Sequence, residues 1–459
     1  MERTALVLSG GGLRGGAHIG VLKAFERVGL LQQVQVVAGT SAGAIAGAML
    51  ASGASVEAIE QAIIALRTTP CDQLFDFNGD GLRAAACAQD FGLFSGFIGG
   101  DAIVELVQKN LVYLQRFSDY ATLPPDVQDK VRDLLLVSVN LDTGTKTVFC
   151  DPARYTSYDE GIVCGQISLA QAARASSSEP AVVVPFRCPG GESCTCGRPL
   201  PGAGSAPQSF VDGAVRESCP LKLAVRLAGC TRVLAVNLGY AGDRVEDVAT
   251  QGMAEIVSQS ITIMGTQQLT ADVDYLRTQV NDGDLKLSAY VLNPRLYDMG
   301  TFAFDRLPEA IQRGELAAEW FLDELDKQLH IYNSDGTVDA DRLFGRQGVF
   351  TFNYPDPERE ARRQQLMQLD RARVQAARPC HIEQELARLV LLTAGAIVSL
   401  SLALFTVGGI VALRLKPNAA SAADVFVFWD GGLVLFMLGW IVFLVLLRLW
   451  LCRPKAQKT

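Results

Sequence analysis

Histidine is scarce in this chain: His18, His330 and His381 are the three present in 459 residues. An imidazole general base, the usual partner of a hydroxyl nucleophile, therefore has few places to come from. A surplus of basic residues is lacking as well; the formal net charge is −8, which argues against a nucleic-acid partner. Paired cysteine motifs are missing. The eleven cysteines are odd in number, and most, such as Cys150, Cys164 and Cys230, stand singly among apolar residues. That pattern suits buried thiols in a reducing compartment. Cys188, Cys194 and Cys196 cluster in a Gly/Pro-rich loop without a nearby histidine, short of the four ligands of a structural zinc site. Residues 76–81 read Asp-Phe-Asn-Gly-Asp-Gly, the first half of a calcium loop, but position twelve falls on Cys87, where calcium needs a bidentate glutamate. A polar turn is the simpler reading there. Neither a metal nor another cofactor is expected. No secretory leader is expected, because Glu2 and Arg3 lead directly into a strand-like run at 4–9. No internal repeat is visible.

Against these absences stands Gly39-Thr40-Ser41-Ala42-Gly43. The apolar run before it, residues 34–38, reads as a buried strand, and the small apolar residues of 42–52 suit a helix. Ser41 then sits on a strand-to-helix turn, where its hydroxyl is pushed out of the sheet. The flanking glycines leave room for the tight turn and for a substrate carbonyl. A helix-capping serine is the plainer alternative.

A hydroxyl needs a base. His18 lies in the first helix, behind a glycine turn, and His381 lies beside a long apolar run. His330 follows the elbow in chain order but has no strand-end context. Phe210-Val211-Asp212-Gly213-Ala214 offers more: an aspartate at the end of a short apolar run, followed by Gly213 and Ala214 with almost no bulk. Such a carboxylate can touch a serine directly, and desolvation would raise its basicity. An ordinary Asp-Gly turn is the alternative.

The turn Gly10-Gly11-Gly12-Leu13-Arg14-Gly15 fits G-x-G-x-x-G between a strand and a helix. A dinucleotide site would want an acidic residue at the end of the second strand, and here that strand ends in the elbow. The other use of such a turn is an oxyanion hole built from backbone N–H groups, with Arg14 steadying the loop or attracting an anionic headgroup.

Along the chain, strands read at 4–9, 34–38, 134–140, 146–150, 182–186 and 232–238, and helices at 17–28, 56–67, 102–114 and 169–175. That alternation implies a mostly parallel sheet covered by helices. Residues 188–209 read as a surface loop, and 241–357 as a mainly helical extension without a legible motif. Residues 358–388 are polar and Arg-rich and read as a juxtamembrane helix suited to anionic headgroups, with a solvated linker helix as the alternative. Residues 389–413 hold no charge; at ~1.5 Å rise each, such a run reaches about 37 Å, enough to cross a ~30 Å hydrocarbon core with tilt. A second run, 425–447, follows the short loop 414–424, with Asp430 near its start. Arg378 and Arg388 precede the pair, and Arg448, Arg453, Lys455 and Lys458 lie in the tail 448–459. A transmembrane hairpin with both ends in the cytoplasm is expected.

The glycine turn, the elbow, the Asp212-Gly213-Ala214 motif and the Ala17-His18-Ile19-Gly20-Val21-Leu22-Lys23-Ala24 helix, in this order, resemble the patatin-like phospholipases. The resemblance covers residues 4–240. It implies a three-layer α/β/α fold, a Ser–Asp dyad with Ser41 as nucleophile and Asp212 as proton acceptor, and an oxyanion hole around Gly11 and Gly12. It further implies metal-free hydrolysis of lipid acyl esters, with membrane lipids as substrate. Ala214 stands where many members carry glycine, and the hairpin is no part of the family pattern. The combined expectation is a multi-pass, membrane-anchored lipid acyl hydrolase with residues 1–240 as its catalytic domain on the cytoplasmic side. An acyltransferase or thioesterase with the same nucleophile, and an inactive membrane scaffold or sensor, are the alternatives.

Overall fold

The computed structural model describes residues 2–66, 99–156, 161–165, 167–188, 208–239, 253–301 and 306–355. The juxtamembrane segment, both apolar runs, their loop and the tail (358–459), the 76–87 loop, and Cys194 and Cys196 lie outside them. Among the described residues no helix is long and apolar enough to cross a membrane.

Among the described residues ten strands occur in chain order: β1 Thr4–Leu8, β2 Val36–Thr40, β3 Asp133–Asn140, β4 Lys146–Phe149, β5 Gly161–Cys164, β6 Phe186–Arg187, β7 Ser209–Asp212, β8 Arg232–Val236, β9 Ser288–Asn293 and β10 Gly348–Asn353. The helices that matter here are α1 Gly16–Arg27, α2 Ala42–Ala51, α3 Val56–Ala65, α4 Asp101–Asn110, α5 Leu169–Ser176, α6 Leu221–Arg226, α7 Met253–Asn281 and α8 Leu307–Leu329. The strands form one sheet in the order β10-β9-β8-β1-β2-β3-β4-β5, with β7 joined to β3 and β6. From β10 to β3 every pairing is parallel; β3 meets β4 and β7 antiparallel.

Period-two alternation sorts the side chains into two cores. Leu6, Leu8, Val37, Tyr290 and Leu292 face one layer, with residues of α1, α2, α3, α5 and α8. Ala5, Val7, Val36, Ala38, Ala289 and Val291 face the other, with residues of α6 and α7. Burial on both faces is why β1 and β2 read as unbroken apolar runs rather than alternating ones. α1 and α8 cross at backbone distance: a Cβ on Gly20 would lie 1.9 Å from the Ile311 carbonyl, and one on Gly314 2.1 Å from that of Ala17.

Residues 241–357, expected as a mainly helical extension, also supply β9 and β10, which extend the parallel sheet past β8. Residues 182–185 are not a strand; of the expected run only Phe186 enters one, β6. Glu179 opens a turn whose carbonyl accepts from the Val182 and Val183 amides, and Ala181 has φ 66°, a backbone state closed to a regular strand. Cys164 also departs from the expected lone thiol: it is disulfide-bonded. Cys150, Cys219 and Cys230 keep free thiols.

Candidate active site

β3 holds the site together. Its residues 133–137 pair with β2, ending at Thr40↔Val137. The next residues, 138–140, pair with β7, beginning at Ser138↔Asp212. β4 occupies the opposite edge of β3 at 136–139, so β2 and β7 share one edge. They run toward each other along it, and the ends that meet are Thr40-Ser41 and Asp212-Gly213. That head-on meeting brings two residues far apart in sequence into contact, and the Ser41 hydroxyl hydrogen-bonds the Asp212 carboxylate.

Ser41 has φ 54° and ψ −122°, a strained conformation for a residue with a side chain. It follows directly from the fold, since β2 must turn at once into α2. The flanking glycines serve that turn rather than a substrate. A Cβ on Gly43 would sit 2.1 Å from the Leu8 carbonyl oxygen, and one on Gly39 2.5 Å from that of Gly43. Thr40 anchors the strand end by donating its hydroxyl to the Glu217 carbonyl at 2.9 Å. Ala42 lies on the wall of the cavity in front of Ser41.

Asp212 is 2% exposed. Desolvation pushes its carboxyl up to about 7; the Ser41 hydroxyl and the Ala214 amide pull it back down, and the charge of Glu179 adds to the rise. Ala214 N–H donates to Oδ1 at 2.7 Å. Gly213 is required by space, for a Cβ there would approach the Val137 carbonyl oxygen to 2.3 Å.

The glycine turn lies against Ser41 and Ala42: a Cβ on Gly10 would be 3.3 Å from that of Ser41, and one on Gly15 2.7 Å from that of Ala42. Most of its amides are committed. Gly10 donates to the Ser218 carbonyl, Leu13 to that of Thr301 and Arg14 to that of Gly11. Those of Gly11 and Gly12 have no backbone acceptor among the described residues. Arg14 is 4% exposed, so it does not reach a headgroup. It steadies the loop, with Nε donating to the Gly11 carbonyl at 3.2 Å.

The histidines are elsewhere. His18 is buried, and its Nε2 donates to the Ser9 carbonyl at 2.8 Å. Burial drives its pKa down to about 4, so the ring is neutral. His330 is exposed and caps the end of α8 in the left-handed conformation. His381 lies outside the described residues.

Three supports had no readable motif in the sequence. Ser176 accepts the Ser41 amide at 3.0 Å and donates to the Val137 carbonyl at 2.5 Å. Two residues on, the Ser178 carbonyl accepts the Asp212 amide at 2.9 Å. Thr301 accepts the Leu13 amide, and its side chain blocks any Cβ on Gly12, whose φ is +56°. Residues 176–178 were visible only as a serine triplet closing an Ala-rich helix, and Thr301 gave no signal at all. In front of Ser41 opens a cavity of about 180 Å³, walled by Ile19, Ile45, Ile63, Leu106, Val183 and Leu307 among others, with Ser177, Glu179 and Thr301 as polar members. Its walls suit an acyl chain.

Residues 6–225 match the family model described as patatin-like phospholipase. This part of the chain belongs to that family. Within it, 57 residues are 51% identical to patatin-like phospholipase domain-containing protein 6 of Mus musculus, covering 12% of this chain and 4% of that one. A stretch of 55 residues is 51% identical to lysophospholipase NTE1 of Coccidioides immitis, covering 12% and 3%. The matched stretches are thus a small part of those relatives' length. Among solved structures, VipD from Legionella pneumophila aligns with TM-score 0.36 at 13% identity over 71% of this chain and 67% of that one. Human GIVD cytosolic phospholipase A2 aligns with TM-score 0.33 at 12% identity over 51% and 42%. The patatin-like domain accounts for every motif residue singled out above; β9, β10 and Thr301 lie beyond its matched span.

Proposed function

We propose that the chain is a membrane-anchored serine hydrolase that cleaves carboxylic esters of lipids through an acyl-enzyme. The observation that carries this reading is the Ser41–Asp212 hydrogen bond at the floor of an apolar cavity. Asp212, ionised above about pH 7, takes the Ser41 proton as Oγ attacks the ester carbonyl. The Gly11 and Gly12 amides face the developing oxyanion, where donors fixed in advance are worth most. Asp212 then gives its proton to the leaving alcohol, and the same carboxylate activates the water that releases the acid. An ester carbonyl with its chain in the cavity fits this arrangement without a metal ion.

For the anchor, the support is the uncharged run 389–413, which is stable only in lipid. The arginine and lysine bias around the hairpin favours both ends in the cytoplasm. Protease accessibility of the two ends in sealed vesicles decides the orientation.

The function is tested by fluorophosphonate trapping followed by peptide mapping, which should place the adduct on Ser41. Incubation with defined phospholipids, read by mass spectrometry, should show released fatty acid. An adduct elsewhere, or acyl groups appearing only on an acceptor alcohol or thiol, would replace this reading with a scaffold or an acyltransferase.

A further inference from the structure

Glu179 lies on the wall of the Ser41 cavity, immediately after the serine triplet that supports the dyad. It is the one acidic side chain on a wall otherwise nearly apolar among the described residues. Its carboxylate accepts a hydrogen bond from Ser258, on α7. Ser258 Oγ lies 2.8 Å from Thr301 Oγ1, and Thr301 Oγ1 accepts from Arg14 Nη2 at 3.3 Å. Arg14 Nε in turn holds the Gly11 carbonyl.

The donor directions along this path are fixed by its two ends. A guanidinium can only donate and a carboxylate can only accept. Ser258 spends its proton on Glu179, so Thr301 must donate to Ser258. All donors then point from cation to anion, an alignment in which each bond polarises the next. The chain ends on the turn that carries the Gly11 and Gly12 amides. Arg14 also feels Glu255, a second carboxylate near its guanidinium, but Glu179 reaches it through continuous hydroxyls.

We propose that Glu179 is a positioning residue of the ester-cleaving site: its carboxylate anchors the Ser258–Thr301–Arg14 chain and so holds the oxyanion turn in register with Ser41. The proposal rests on the Ser41 reading above. A relaxed turn leaves substrate binding intact and weakens only the interaction that forms as charge develops on the carbonyl oxygen. The loss therefore falls on kcat rather than KM.

The test is steady-state hydrolysis of a soluble short-chain ester by the full-length protein, with Glu179→Leu, Glu179→Gln and Thr301→Val. Removing an oxyanion donor outright costs roughly a hundred- to a thousand-fold; loosening one should cost roughly ten-fold. Glu179→Leu and Thr301→Val should each lower kcat about that much, with KM within about two-fold of wild type. Glu179→Gln keeps an acceptor for Ser258 and should restore most of kcat. The double variant Glu179→Leu/Thr301→Val should be no worse than either single one, because both break the same chain. If Glu179→Leu does not fold, Ser258→Ala with Thr301→Val gives the same coupling measurement. Unchanged kcat, additive losses, or a loss confined to KM would overturn the proposal. Failure of the underlying reading looks different: fluorophosphonate would not label Ser41 in the unmodified protein.

Discussion

Asp212→Asn should separate stability from catalysis, in opposite directions, with a pH dependence set by one carboxyl. In the folded protein this group titrates at about 7 against an ordinary value of 3.8, chiefly because burial strips its water. A carboxyl with a raised folded pKa binds its proton more tightly when folded. Its favourable contribution is complete below about pH 4 and is lost as pH climbs through 7. At about 1.36 kcal/mol per pH unit, the ionised form costs the fold up to about 4 kcal/mol above pH 7. Asparagine has no charge to bury and keeps an oxygen for the Ala214 amide. The variant should therefore match wild type near pH 4 and exceed it by up to about 4 kcal/mol at pH 8, measured by urea unfolding across that range. It should also have almost no esterase activity, because an amide cannot take the Ser41 proton. The wild-type kcat/KM should rise with pH to a plateau above about 7, reporting the same group. A stability difference independent of pH, or an Asn variant less stable at pH 8, would refute burial as the source of the basicity.

Ser41→Ala should lower turnover to below a few per cent, on the rough scale of nucleophile knockouts, with little change in unfolding midpoint. His330→Ala should leave esterase activity near normal, since the ring is exposed at a helix end; a large loss would reopen the imidazole alternative. Ser176→Ala removes the acceptor for the buried Ser41 amide, and should cost about 1–3 kcal/mol in thermal or chemical unfolding together with part of kcat. Truncation after about residue 380 should leave hydrolysis of a short-chain soluble ester near normal and slow the attack on vesicle lipid; equal rates on vesicles would remove substrate access as the purpose of the apolar runs.

Much of the site was legible because its chemistry demands special backbone. Gly39, Gly43 and Gly213 are forced by contacts no side chain could survive, so they stand out as small residues beside a Ser or an Asp. The parallel strands β1, β2, β3 and β8 announced themselves as short apolar runs. What escaped was whatever used ordinary residues in ordinary ways. β9 and β10 are six residues each and follow much longer helices, so they blended into a stretch that reads as mainly helical. Ser176, Ser178 and Thr301 act through single hydrogen bonds set by tertiary contact, which no spacing encodes. Arg14 was read as facing either the loop or a headgroup, and only its burial decides between them.

The end-to-end meeting of β2 and β7 gives β3 the role of a ruler. Neither Val137 nor Ser138 lines the cavity in front of Ser41, yet the single step between them sets how far Ser41 stands from Asp212. Each arm hangs on the ruler through its own ladder, so the connections leading into either arm can vary without moving Ser41 relative to Asp212. A slip of one residue in β3 is different. It would carry one arm to the wrong face of the pleat while leaving every catalytic side chain chemically intact. In this architecture, damage to the reaction can therefore arise from a strand that contributes no reacting group.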